Sequence, residues 1–177
     1  MYEWLPTKNN KKAMNLILLF LSGAALLFAF TSLFGEMPFR WAFQLTALCF
    51  LTVAIFLTTR YVMKSFLYRI FEGDRGGFDL TVTELTSGGK RRVTVCRVGL
   101  SEVNRVILLD AADGGESAAK WRAVKKEGKK IFDYAADLDP ARSIVVYLRE
   151  SGEELILRLS YDKTLYDILL EKERREE

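Results

Sequence analysis

The amino-acid sequence predicts a membrane α-helical hairpin followed by an α+β, mainly-β soluble domain that ends in an amphipathic helix. Three observations support this class. Two long apolar runs are joined by a short connection, a stretch of alternating strands and glycine turns follows, and the chain closes on an i, i+3, i+4 apolar pattern. The length of 177 residues leaves room for one soluble domain of ordinary size beside the hairpin.

The predicted hairpin occupies residues 13–63, with membrane spans at 13–34 and 41–62 after a polar leader at 1–12. The first run has no charged residue, and the second has none before Arg60. A spanning helix needs about 20 apolar residues to cross roughly 30 Å of hydrocarbon, and the short connection makes the two helices antiparallel neighbours.

Two other interpretations of the first run are weaker. A buried helix of a soluble protein would need a large body around two such runs. A cleaved signal peptide usually has an apolar region of about 7–15 residues and an A-x-A-like cleavage site, whereas this run is longer and lacks such a site. We therefore expect the run to remain as a membrane anchor.

Positive charge predicts the orientation of the hairpin. The connection between the runs holds only Arg40 beside Glu36, while lysines and arginines flank the outer ends of the spans. These flanking residues are Lys8, Lys11, Lys12, Arg60, Lys64 and Arg69. Because such residues stay cytoplasmic, the sequence predicts a multi-pass protein of the plasma (inner) membrane with both termini and the soluble domain in the cytoplasm.

The residue inventory argues against an enzyme. The chain contains no histidine, which removes Ser-His-Asp and Cys-His nucleophile systems and the usual zinc sites. Cys49 and Cys96 have no nearby partner cysteine. Asp133, Asp137 and Asp139 do not match the spacing of a calcium loop, so turn and capping roles are expected. We therefore predict no catalytic residue, no cofactor and no metal, and nucleic acid is not an expected partner.

The soluble stretch, residues 64–177, is predicted to contain about seven short strands. Phe78, Leu80 and Val82 alternate with polar residues, as in a half-buried strand. Adjacent Gly88 and Gly89 supply the positive φ that a tight hairpin turn requires. The predicted strands cover residues 68–71, 78–83, 91–98, 103–109, 130–134, 143–150 and 154–160.

Two helical segments accompany these strands. Residues 118–126 are expected to form a short helix or an irregular insert. A terminal helix is predicted to begin at Asp162, which is a plausible N-cap, and Leu165, Ile168 and Leu169 follow it at helical spacing.

Four segments and their order carry a resemblance to a known family. They are Tyr68-Arg69-Ile70-Phe71-Glu72, Thr81-Val82-Thr83-Glu84, Arg92-Val93-Thr94-Val95-Cys96-Arg97-Val98 and Phe132-Asp133-Tyr134. The chain resembles bacterial membrane proteins that join one or two transmembrane hairpins to a cytoplasmic pleckstrin-homology-like (PH-like) domain. The resemblance implies a small barrel of about seven antiparallel strands with a C-terminal amphipathic helix, and a binding or scaffolding role.

Two basic segments are the candidate contact sites for anionic lipid or for a partner. The first is Lys90, Arg91 and Arg92, after the glycine turn. The second comprises Lys120, Trp121, Arg122, Lys125 and Lys126. In a PH-like fold an early basic hairpin often holds lipid phosphates, and an anionic leaflet attracts each nearby Lys or Arg by about 1 kcal/mol. A solvated turn and a solvated loop are the alternatives.

The predicted function is therefore a non-enzymatic membrane-anchored module. It would act on a protein partner or a membrane assembly. The alternative is a sensor of anionic lipid headgroups that uses the two basic segments.

Overall fold

The computed structural model describes residues 1–33, 39–73, 77–86, 88–113, 115–150 and 152–176. These residues form two compact units. The helical unit is Asn9–Lys64, and the β unit combines Met1–Lys8 with Ser65–Glu177.

The helical unit consists of α1, Lys11–Leu33, and α2, Arg40–Leu57, which continues as a π-helical turn over Thr58–Met63. Both helices are long and apolar enough to cross a membrane. In each helix, only 17 % of an apolar stretch of 18 residues is buried. The core helix of a soluble protein would be mostly buried. Residues 35–38 of the predicted connection, which include Glu36, lie outside the described residues.

Small residues allow the two helices to pack closely. Ala24 of α1 and Ala47 and Ala54 of α2 are buried. A Cβ atom on Gly23 would stand 3.0 Å from the ring of Phe50, so glycine permits this approach. Small side chains at a helix interface are the usual means of close packing in lipid.

The first sheet of the β unit, sheet A, is antiparallel with strand order β1-β2-β3-β4. Its strands are β1, Tyr2–Trp4; β2, Ser65–Glu72; β3, Phe78–Thr86; and β4, Arg91–Gly99. The sequence placed residues 2–4 in a polar leader, but they pair with β2, and the ring of Trp4 lies 5.7 Å from that of Tyr68. Three residues are too few for a recognisable alternation, and the pairing partner is more than 60 positions away.

The second sheet, sheet B, has strand order β5-β7-β8-β6. A 3₁₀ turn at Leu100–Glu102 precedes it. The remaining elements are β5, Val103–Asp110; α3, Glu116–Lys126; β6, Lys130–Asp133; β7, Arg142–Glu150; β8, Glu153–Ser160; and α4, Lys163–Glu176. β6 pairs in parallel with β8, so an entirely antiparallel fold is a wrong prediction. β7 runs opposite to β6, and β8 returns between them, so β6 and β8 run in the same direction.

The predicted closed barrel is not observed. In the described part of the chain, β4 and β5 are consecutive strands that do not pair, and each forms an edge of its own sheet. The 3₁₀ turn separates them, and its Leu100 is buried in the core. The β unit thus contains two open four-stranded sheets.

The main core lies between the two sheets and beneath α4. Tyr68 and Val82 of sheet A meet Val146 and Leu157 of sheet B in one buried cluster. Leu165 and Leu169 of α4 complete it, as their spacing predicted. The N-cap prediction is confirmed, because Asp162 Oδ2 accepts a hydrogen bond from the Leu165 N–H at 3.1 Å.

A smaller cluster occupies the opposite face of sheet B. Val124 and Trp121 of α3 pack there against Val145, Tyr147 and Ile156. Since side chains alternate between the faces of a strand, α3 and sheet A lie on opposite sides of sheet B. Packed sheets lie about 10 Å apart. The two basic segments are therefore separated by at least about that distance.

Candidate functional site

The first basic segment forms the tip of the β3–β4 hairpin. Gly88 and Gly89 adopt φ values of 67° and 89°, as the predicted turn requires. The side chains of Lys90, Arg91 and Arg92 are exposed. Among the described residues, none forms an ion pair or a hydrogen bond with these three side chains. The tip is therefore a local concentration of uncompensated positive charge.

Strand register places this tip near Ser65, the first residue of β2. Arg92 pairs with Leu85, and Leu85 pairs with Ser65. Neighbouring strands are spaced by about 4.8 Å, so the Cα atoms of Arg92 and Ser65 are about 10 Å apart. Ser65 is separated from the end of the π-helical turn by Lys64 alone.

The second basic segment lies on α3, and several of its side chains have partners within the β unit. Lys120 pairs with Glu116 at 2.8 Å, which raises the lysine pKa and lowers the glutamate pKa. The half-buried ring of Trp121 has the Arg158 guanidinium 4.7 Å and the Lys125 ammonium 5.2 Å from its centre. The indole is thus part of the packing of α3 on sheet B.

The other basic side chains of α3 are more open. Arg122 and Lys126 are exposed, and Arg122 Nε donates to the Ala118 carbonyl at 3.3 Å. The structure gathers Lys90, Arg91 and Arg92 at one tip and does not bring α3 to them.

A compact ion network lies below the end of α3. Lys129 Nζ stands 2.9 Å from Glu127 and 2.7 Å from Glu154, and the Tyr147 hydroxyl donates to Glu127 at 2.9 Å. The two carboxylates raise the pKa of Lys129, and the lysine lowers the pKa of each carboxylate. Burial and then Glu127 raise the pKa of Tyr147. Because the charges are paired, the network links the end of α3 to β7 and β8.

Asp133, which was considered for metal binding, and Asp110 both accept hydrogen bonds from backbone N–H groups. Asp133 accepts from the Ala135 N–H at 3.0 Å and pairs with Arg158 at 3.3 Å. Asp110 accepts from the Ala112 N–H at 3.0 Å. In the described ranges, no three His, Cys, Asp or Glu side chains are grouped so that they could hold a metal ion.

An open apolar pocket lies at the end of sheet A opposite the hairpin tip. It has a volume of about 390 Å³ and is bordered by α4 and by the ends of β1, β2 and β3. No local sequence signal marks it, because its residues come from five separate segments of the chain. Phe78 was predicted only as a strand residue, and it is 48 % exposed at this pocket.

Comparison with protein-family models, curated proteins and solved structures found no significant match. The resemblance to PH-like domains stays a prediction from the sequence.

Proposed function

We propose that the chain is a non-enzymatic module anchored in the plasma (inner) membrane by α1 and α2, with both termini in the cytoplasm. The β unit then serves as a binding or scaffolding surface for a protein partner or a membrane assembly. The exposed half of β4 is the observation that carries this proposal.

β4 is an edge strand that pairs with β3 alone in the part of the chain that the structure describes. Residues 91–95 are all exposed, with Val93 at 44 % and Val95 at 36 %. An edge strand offers unpaired N–H and C=O groups to which an extended partner segment can add as a further strand, although in β4 the Val95 carbonyl already accepts from the Tyr134 hydroxyl at 3.3 Å. Arg91 and Arg92 disfavour pairing between two copies of β4 and favour a partner with acidic side chains.

Affinity purification of the full chain from mild detergent tests this proposal. We expect a stoichiometric protein partner that is lost when Val93 and Val95 are both changed to Asp. The matched control places the same charges on the exposed side of α3, at Ala118 and Ala119. The absence of a stoichiometric partner, or equal retention by both variants, would contradict the proposal.

The hairpin tip supports a second candidate function, the binding of anionic lipid headgroups. Lys90, Arg91 and Arg92 have no counter-charge among the described residues, and they lie about 10 Å from Ser65 by strand register. Within a Debye length of about 8–10 Å, an anionic leaflet attracts each cation by about 1 kcal/mol. We therefore assign the tip, ahead of α3, to this role.

Vesicle co-sedimentation tests the second candidate. The protein for this assay lacks the helical unit. A short linker joins Met1–Lys8 to Ser65–Glu177, so that β1 is retained. It should bind anionic vesicles and release them as salt rises. Serine at all three tip positions should weaken binding by up to about 100-fold. The matched control places serine at three cations of α3: Lys120, Arg122 and Lys126. Equal binding to neutral and anionic vesicles would remove the electrostatic argument.

A further inference from the structure

The pocket beneath α4 has the size and lining of a small-molecule site. Its volume of about 390 Å³ lies within the range of about 300–1,000 Å³ that is usual for ligand pockets. Its lining includes Ile70, Phe78, Leu100, Thr164, Ile168 and Lys172. The pocket lies at the end of sheet A away from the basic tip, so it is a separate site.

The floor and mouth of the pocket are apolar. Ile70 and Leu100 belong to the main core and are 4 % and 1 % exposed, so the pocket reaches the core surface. Phe78 stands half exposed at the mouth. Tyr2 of β1 lines one side of the pocket, and its hydroxyl donates to Asp162 at 2.8 Å. Burial, and then this carboxylate, raise the pKa of Tyr2, so the hydroxyl keeps its proton. An apolar ligand body fits this surface.

Residues along one face of α4 form an elongated side of the pocket, which ends at a charged residue. Thr164, Ile168 and Lys172 are successive residues along that face, and a helix rise of 1.5 Å per residue separates the first from the last by about 12 Å. Lys172 is partly buried, and no described residue forms an ion pair or hydrogen bond with its ammonium. Glu171 also lines the pocket, and its side chain already has an interaction of its own. An apolar slot therefore ends at a cation that has no ion-pair partner among the described residues.

We propose that this pocket binds a monoanionic amphiphile, an unbranched aliphatic chain with a terminal carboxylate. The chain lies along Ile168 over Ile70 and Leu100, and the carboxylate pairs with the Lys172 ammonium. Burial of the chain supplies most of the affinity, and the ion pair selects an anion over a neutral or cationic head. This site is independent of the protein and lipid contacts proposed above.

Photolabelling of the full chain in nanodiscs of neutral lipid tests the proposal. The probe is a decanoate that carries a diazirine near the end of its chain, and labelled peptides are identified by mass spectrometry. We expect labels on the segments that contain Phe78 and Ile168. Excess decanoate should compete, whereas decanol and decyltrimethylammonium should not. Labels on α1 and α2 come from probe dissolved in the bilayer and serve as the internal standard.

Two variants separate pocket binding from nonspecific labelling. Lys172→Met should reduce labelling of the β unit about tenfold relative to the standard, the effect of losing one charge-assisted contact, and Lys172→Arg should restore it. Ile168→Trp should block the slot. Labelling confined to α1 and α2, equal competition by all three amphiphiles, or no effect of either variant would overturn the proposal.

Discussion

Removal of the Tyr68 hydroxyl tests how the two sheets are joined. The Tyr68 side chain is fully buried, and its hydroxyl donates to the Tyr134 carbonyl at 2.8 Å and accepts from the Ser160 N–H at 3.1 Å. Tyr68 belongs to β2, while Ser160 ends β8, so one oxygen connects sheet A to sheet B. Tyr68→Phe keeps the ring and its contact with Trp4 but leaves two backbone groups without this partner.

The expected cost follows from those two groups. A buried backbone donor or acceptor left unpaired costs about 1–3 kcal/mol. We therefore expect Tyr68→Phe to lower the free energy of unfolding by about 2–4 kcal/mol, since some relaxation will offset part of the loss. With a urea dependence of about 1–3 kcal/mol per molar, the unfolding midpoint should fall on the order of 1–2 M.

Urea unfolding of the full chain in detergent, followed by tryptophan fluorescence, measures this shift. Trp4 reports on sheet A because its ring contacts that of Tyr68, with the ring centres 5.7 Å apart. The matched control is Tyr161→Phe, since no described residue hydrogen-bonds to the Tyr161 hydroxyl. Tyr161→Phe should change the free energy of unfolding by no more than about 0.5 kcal/mol. A midpoint shift for Tyr68→Phe no larger than the control's would refute the role assigned to this hydroxyl.

Three further predictions concern the strand β1, the ion network and the topology. Tyr2→Phe should destabilise the β unit by about 1 kcal/mol in the same urea assay, because it removes the hydrogen bond to Asp162; an unchanged midpoint would contradict this. The two glutamates paired with Lys129 have lowered pKa values, so their contribution is present at neutral pH and is lost as pH falls. Between about pH 6 and pH 3, the free energy of unfolding should therefore decline less steeply in Lys129→Met than in the parent protein. An equal decline in the two proteins would contradict this prediction. In a chain whose native cysteines are replaced by alanine, an impermeant thiol reagent should label a cysteine at Glu36 from outside intact cells but not one at Ser151. The reverse pattern would overturn the orientation.

Features that depend on neighbouring residues were accessible from the sequence. Two uncharged runs of about 20 residues indicate helices of spanning length because apolar length is a local property. The Gly88-Gly89 turn and the Asp162 cap were equally accessible, since each is decided within a few residues. The hairpin of β7 and β8 followed from alternation on both sides of a short turn.

Long-range pairing decided the rest. Whether β4 and β5 close a barrel depends on the 3₁₀ turn and on how Leu100 packs, and neither has a local signature. The recruitment of residues 2–4 into sheet A depends on β2, which lies across the whole helical unit in the sequence.

The difference between the two basic segments was likewise a matter of tertiary structure. In the sequence both are dense runs of Lys and Arg. In the structure, the half-buried Trp121 of α3 packs against Arg158 and Lys120 is paired, while the β3–β4 tip keeps its cations unpaired among the described residues. The amount of charge in each segment can be read directly from the sequence. Which of those charges are compensated follows from the fold, because electrostatic pairing depends on distance in space and not on position along the chain.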